Sequence, residues 1–231
     1  MKKIISLGLS ALLIVVVSIS TFAQESKSFS VSGFNKLSMG SAFKIDVKQG
    51  SGYNVNVSGR SEDIDDLQAN VSGGVLKIGY KENKWNKNRK TVNVSITMPN
   101  LQGIDFSGAS TATVAKFSGV KNMDIDVSGA SRVNMDLAAT KVVMELSGAS
   151  TLTLNGSCEI LDGEVSGASS FKGRDFQTKE VNIDASGASS AAIVANAALH
   201  AEASGASSIR YSGSVKDIHS STSGASSVKR E

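Results

Sequence analysis

The residues best placed to do chemistry are six acids that recur at one position of a repeated frame. Asp105, Asp126, Glu145, Glu164, Asp184 and Glu202 each stand two residues before a copy of the tetrapeptide Ser-Gly-Ala-Ser. Only the seventh copy breaks the pattern, with Ser221. If the copies stack in register, the carboxylates form one outward column with a spacing of about 4.8 Å. Acids so close repel and raise one another's pKa values unless a cation or Lys side chains intervene. The column could therefore be a solvated or inter-subunit ladder or a divalent-cation site. It also meets the carboxylate separation of a retaining glycosidase, but any two stacked acids would meet that spacing, so it argues little for catalysis. His200 and His219, the only histidines, share the position four before their motifs in adjacent repeats. Glu202 lies two residues from His200 on the same face, so two imidazoles and a carboxylate could hold Zn²⁺. Two exposed histidines in register is the simpler reading.

Lys81 to Lys90 is the one strongly basic stretch and holds the single Trp. Lys84, Trp85, Lys87 and Arg89 are candidate surface-binding residues for an anionic glycan or lipid head group. The stretch falls between two strand patterns and reads as a solvated hairpin loop. Ser169-Ser170-Phe171-Lys172 and Ser226-Ser227-Val228-Lys229 match the Ser-x-x-Lys string of penicillin-recognising enzymes. That chemistry needs a helix to bring Ser and Lys to one face. On a strand, positions three apart point to opposite sides, so both matches are rejected. The repeated serines are equally poor nucleophiles, being seven equivalent sites with no general base beside them.

The elements that must position these groups follow from the repeat. Ser-Gly-Ala-Ser begins at Ser107, Ser128, Ser147, Ser166, Ser186, Ser204 and Ser223, in steps of 21, 19, 19, 20, 18 and 19 residues. This period is too short for a helix pair and suits one turn of a stacked β-coil. Before the motifs, apolar residues fall on alternate positions: Met123, Ile125 and Val127; Val142, Met144 and Leu146; Val181, Ile183 and Ala185. Alternation resumes after them, as in Val133 and Met135 or Leu152 and Leu154. That is the period of a half-buried strand. The expected fold is all-β, a right-handed parallel β-solenoid of about seven 19-residue coils with a corner at each tetrapeptide. In the corner Gly adopts φ values that other residues resist, Ala fills a narrow turn, and Ser hydroxyls bond neighbours or backbone. The last coils supply few apolar residues, so the C-terminal end is expected to be thin and polar. Its terminal charges guard an exposed sheet edge.

Residues 24–100 lack the period but keep the alternation. Phe43 to Val47, Tyr53 to Val57, Leu76 to Tyr80 and Val92 to Met98 read as strands, with one helical turn capped by Ser61 and followed by Ile64 and Leu67. This lead-in is either a set of irregular first coils or a small capping sheet. With no Pro/Gly linker between the halves, 24–231 is expected to be a single domain. Ahead of it, Met1-Lys2-Lys3, the apolar Ile4 to Ile19 and Ala23 have the form of a secretory signal over residues 1–23. Removing Lys2 and Lys3 takes the formal charge from +3 to +1. So small a charge provides no field for nucleic acid. Cys158 stands alone, so no internal disulfide is expected and it reads as a small core residue.

Gly33-Phe34, the Val75 to Ile78 strand after a Gly turn, Pro99 before the repeats and the recurring Ser-Gly-Ala-Ser together resemble a known family. It is the exported bacterial family called "putative auto-transporter adhesin, head GIN domain", and the resemblance spans about Phe29 to Glu231. It implies an all-β, solenoid-like fold and an adhesive role, and it carries over no catalytic residue and no cofactor. No set of outward apolar strands reads as a membrane β-barrel, so surface display would need another machine. The expected location is the periplasm, the outer membrane or the exterior. The expected function is a non-enzymatic adhesion or envelope module, with a cell-surface glycan, an envelope protein or a second copy as partner and no transmembrane segment after signal removal. A carbohydrate-binding or polysaccharide-degrading β-helix is the alternative, by analogy of fold alone, and a self-assembling envelope scaffold is a further one.

Overall fold

The computed structural model describes residues 25–81 and 88–231. The expected signal segment lies outside them, as do Lys84, Trp85 and Lys87. Among the described residues, no helix is long and apolar enough to cross a membrane.

The chain begins with β1 (Glu25–Phe29), β2 (Lys36–Ser41), β3 (Phe43–Gln49) and β4 (Asn54–Gly59). The short helix α1 (Ser61–Asp65) leads to β5 (Leu67–Ser72), β6 (Val75–Tyr80), β7 (Val92–Met98) and β8 (Gly103–Gly108). The repeats then form β9 (Thr111–Val127), β10 (Arg132–Leu146), β11 (Thr151–Val165), β12 (Ser170–Ala185) and β13 (Ser190–Ala203). Three shorter strands finish the chain: β14 (Ser208–Ser212), β15 (Asp217–Thr222) and β16 (Ser227–Arg230). From β9 to β13 each strand pairs in parallel with its successor, one coil below; β13 then pairs with both β14 and β15, and β14 with β16. The fold is the expected all-β solenoid, of about seven turns with about 19 residues each.

Alternation creates the core. Val133, Met135, Leu152, Leu154, Phe171, Val181 and Ile183 are all at most 1% exposed, while the residues between them face solvent. The unequal steps of the repeat are absorbed in mid-strand, where the register slips between Met135 and Leu137 and between Lys172 and Gln177. Residues flanking the corners therefore stay aligned. Corner glycines have φ near +70°, as at Gly129 (68°) and Gly148 (72°). From the second motif on, each corner Ala donates its N–H to the Gly carbonyl one coil above, as from Ala149 to Gly129 (2.8 Å). The final Ser turns inward and is buried in the first six motifs. Several of these hydroxyls donate to a carbonyl of the coil above, as from Ser189 to Val165 (2.9 Å) and Ser207 to Ala185 (3.0 Å). Ser150 instead donates to the Ser169 hydroxyl (3.3 Å), and Ser131 Oγ is buried without a partner among the described residues. Where they are buried, these serines are closed to substrate.

The lead-in proves to be both of the things it could have been. β2 and β3 form a further coil above the first repeat, β2 pairing with β8 and β3 with β9. Gly40-Ser41-Ala42-Phe43 takes the corner there, with Ser41 in register with Gly108. β6 and β7 then stack on β2 and β3 as an outer coil, although they come later in the chain. Against that coil lie antiparallel strands, β5 on β6 and β4 on β7, with β1 on β4. β6 and β7 pair with other strands and not with each other, so these two strands do not form the hairpin expected. The cap of α1 is also corrected: Arg60 is the N-cap and makes no side-chain cap bond, while Ser61 is already helical. Arg60 instead turns its guanidinium onto the buried Asp63, at 3.0 and 3.2 Å.

Cys158 is buried, its thiol 3.3 Å from the Ile160 carbonyl and 3.8 Å from Thr178 Oγ1. Burial pushes its pKa up to about 11, leaving it an unreactive core residue. At the lower end β15 is exposed along its length and Ile218 is 39% exposed, as the thinning core requires.

Candidate functional site

Register pairings assemble the acidic column as the motif spacing dictates. Asp105 pairs with Asp126, Asp126 with Glu145, Glu145 with Glu164, Glu164 with Asp184, and Asp184 with Glu202. Ser221 follows Glu202 below. Above Asp105 the lead-in coils add Ser38 and then Lys77. Sequence reading missed this head of the column, because its coil carries no Ser-Gly-Ala-Ser to set the frame. The alternation in Leu37-Ser38-Met39 was the available signal.

A second column runs beside it: Lys36, Gly103, Asp124, Val143, Asp162, Asn182, His200 and His219. The missing side chain at Gly103 lets Lys36 reach Asp124, two coils below, at 2.6 Å. Lys36, Lys77, Asp105, Asp124, Asp126 and Glu145 border an open recess of about 440 Å³ at the head of the columns. Ser38 donates to Asp105 at 2.9 Å. Among the described residues, Asp126, Glu145, Glu164 and Asp184 have no hydrogen-bond or ion-pair partner. Burial raises the pKa of Asp126, and the charges of Asp105 and then Glu145 add to the shift. Asp162 behaves oppositely: the Asn182 amide and then Lys141 (2.6 Å) hold its carboxyl below the ordinary range.

The raised pKa of Asp126 has a definite sign for stability. The folded chain binds this proton more tightly than the unfolded chain, so the ionised carboxylate opposes folding once the pH is above its folded pKa. That opposition fades as pH falls through the carboxylate range. Asp126→Asn is therefore expected to stabilise the protein at pH 7 by about 0.5 kcal/mol, the scale of one cross-strand charge pair. In a thermal melt that is a rise of about 1–2 °C, smaller in high salt and absent at pH 3. An unchanged melting temperature at pH 7 would mean that solvent and Lys36 already neutralise the column.

The histidines are neighbours in register, with ring centroids 6.5 Å apart. His200 Nε2 lies 3.3 Å from Glu202, while His219 Nε2 turns to Asp217 at 3.2 Å. The two imidazoles thus attach to different carboxylates. Among the described residues, no group of three His, Cys, Asp or Glu side chains is arranged to hold a metal ion. Arg89 is not the free surface cation its sequence context suggested. It stacks 3.5 Å over the Tyr80 ring and pairs with Asp66 at 3.2 Å, fastening the end of the outer coil.

Comparisons with known proteins agree with this architecture. Among solved structures, a "putative adhesin" from Bacteroides fragilis superposes with a TM-score of 0.80 at 21% identity, covering 90% of this chain and 97% of its own. A "putative lipid binding protein" from Parabacteroides distasonis gives 0.67 at 19% identity, covering 91% and 98%. A "putative adhesin" from Parabacteroides merdae gives 0.66 at 18% identity, covering 91% and 97%. At these identities the likeness is one of fold. No curated protein matches the sequence. The family model described as "Putative auto-transporter adhesin, head GIN domain" matches residues 33–214, and the chain belongs to that family.

Proposed function

We propose that this protein is an exported, non-catalytic adhesion module of the cell envelope, which holds its partner on the outward faces of the solenoid. The observation that carries this reading is the register-locked acidic row. Six carboxylates on successive coils repeat one weak contact at every strand spacing, held by a sheet that cannot shift without breaking its ladder. A row of that kind suits an extended partner, because many weak contacts on one rigid support add through effective concentration. The adhesin family and its structural relatives support the adhesive role. The charged start, the apolar Ile4 to Ile19 stretch and Ala23 support export.

A glycan array and isolated envelopes, probed with the full chain, test this reading. Analysis of any bound polysaccharide for new reducing ends completes the experiment. Binding without turnover is the expected result. Release of product would make the protein a carbohydrate-acting enzyme and end the reading.

A further inference from the structure

The strand segments that follow the corners build a second face with different chemistry. Thr153, Lys172, Ala192, Arg210 and Lys229 are stacked in register on it. Ser170, Ser190 and Ser208 stack alongside, Ser190 donating to Ser170 at 3.2 Å. Ala192 is the short member between two long cations. Its short side chain leaves a recess of about 510 Å³, lined also by Arg174 and, as its one acid, Asp175. Lys172 and Arg210 stand two coils apart across this gap, about 9.5 Å at the strand spacing.

Two of the cations that line the recess already hold a carboxylate of the chain itself. Arg174 holds Glu231 through both Nε (2.9 Å) and a terminal nitrogen (2.5 Å), and Arg210 stands 4.0 Å from the same group. That forked geometry is the one in which Arg recognises planar oxyanions. Among the described residues, Lys172 and Lys229 have no hydrogen-bond or ion-pair partner. Cations at Lys172, Arg210 and Lys229, with a row of hydroxyls alongside, offer repeated contacts to an acidic polymer. Among the described residues, the exposed large apolar side chains are Tyr53, Val143 and Ile218. They lie off this face, which among those residues therefore offers no ring or large aliphatic group to enter a bilayer.

We infer that the recess over Ala192 is a binding site for an acidic polysaccharide, with Lys172, Arg174 and Arg210 on its carboxylates or sulfates and the serine row on its hydroxyls. This deepens the adhesive reading above and rests on it. Isothermal titration of the full chain with a hexagalacturonate oligosaccharide is the test. Lys172→Ala with Arg210→Ala is expected to weaken binding about tenfold or more, as loss of charged hydrogen bonds does. Ala192→Leu, which fills the recess and leaves the charge unchanged, should weaken it comparably, whereas Lys48→Ala outside the recess should not. Absence of hexagalacturonate binding by the unaltered chain overturns the inference. So does binding that the double variant and Ala192→Leu leave intact, or capture by anionic phospholipid vesicles alone. Neutral glycans bound equally by the double variant would sink this site while the adhesive reading stands.

Discussion

Gly148→Val is expected to abolish or nearly abolish the folded state, at a cost of at least about 4 kcal/mol. Two effects coincide at this corner. The backbone φ of +72° is one that a β-branched residue resists. A Cβ there would also stand 2.6 Å from the Gly129 carbonyl oxygen, which is backbone and already accepts the Ala149 N–H. Neither the oxygen nor its coil can retreat without breaking the ladder on both sides of the corner. The same close approach recurs between Gly167 and Gly148 (2.6 Å) and between Gly187 and Gly167 (2.8 Å), so the corners form a stack of mutually dependent glycines. Gly119 provides the control. Its φ is +74°, yet nothing lies within 4 Å of where its Cβ would be. Gly119→Ala should therefore cost only the conformational share, about 1 kcal/mol. Urea denaturation of both variants separates the contributions: equal losses would show that backbone conformation alone selects glycine and that stacking contributes nothing.

The same corner explains how far the fold could be read in advance. A tetrapeptide that tolerates no side chain at one position and buries a hydroxyl at another has few alternatives, so it recurs almost unchanged and marks the frame. Once the frame is set, the alternation beside each corner assigns the inward and outward residues there. Mid-strand it fails, with buried Val114, Phe117, Val120 and Met123 three apart in β9, and β15 has no inward residue at all. The lead-in escapes this reading because its upper corner reads Gly40-Ser41-Ala42-Phe43, in which Phe43 takes the place of the inward-turned Ser110 and fills the core. The chain order also misleads there, since β6 and β7 stack outside β2 and β3. Nothing local to a strand records which non-adjacent strand it pairs with.

Of the candidate sites, the acidic column was legible because only one-dimensional register was needed to build it. Its head was not, since Ser38 and Lys77 come from the reordered coils. Arg89 was misjudged for a different reason. A basic run reads as solvated, whereas this guanidinium meets Tyr80 and Asp66 from elsewhere in the chain. The recess over Ala192 was invisible as well: an alanine on an outward strand position carries no signal until its neighbours above and below prove to be Lys172 and Arg210.

Phe171→Ala is expected to cost about 3–5 kcal/mol, toward the upper end of that range. Phe171 is 1% exposed and stands in register between Leu152 above and Ala191 below. A cavity is cheapest where the surrounding chain can collapse into it, and here the ladder holds the adjoining coils at their strand spacing. The large residue is also matched to its surroundings. A Cβ on Gly173 would come within 2.8 Å of the Phe171 ring, so that glycine is the room the ring occupies. Adding Gly173→Ala to Phe171→Ala should therefore cost less than Gly173→Ala in the unaltered protein, a coupling that a double-mutant cycle measures directly. Since each coil contacts chiefly its neighbours, the damage should also be local. Amide exchange is expected to quicken in β11, β12 and β13 and to stay slow in β2 and β3. A loss below about 1.5 kcal/mol, or uniform exchange along the whole solenoid, would show that the coils relax as one body and that the stacked register does not confine the cavity.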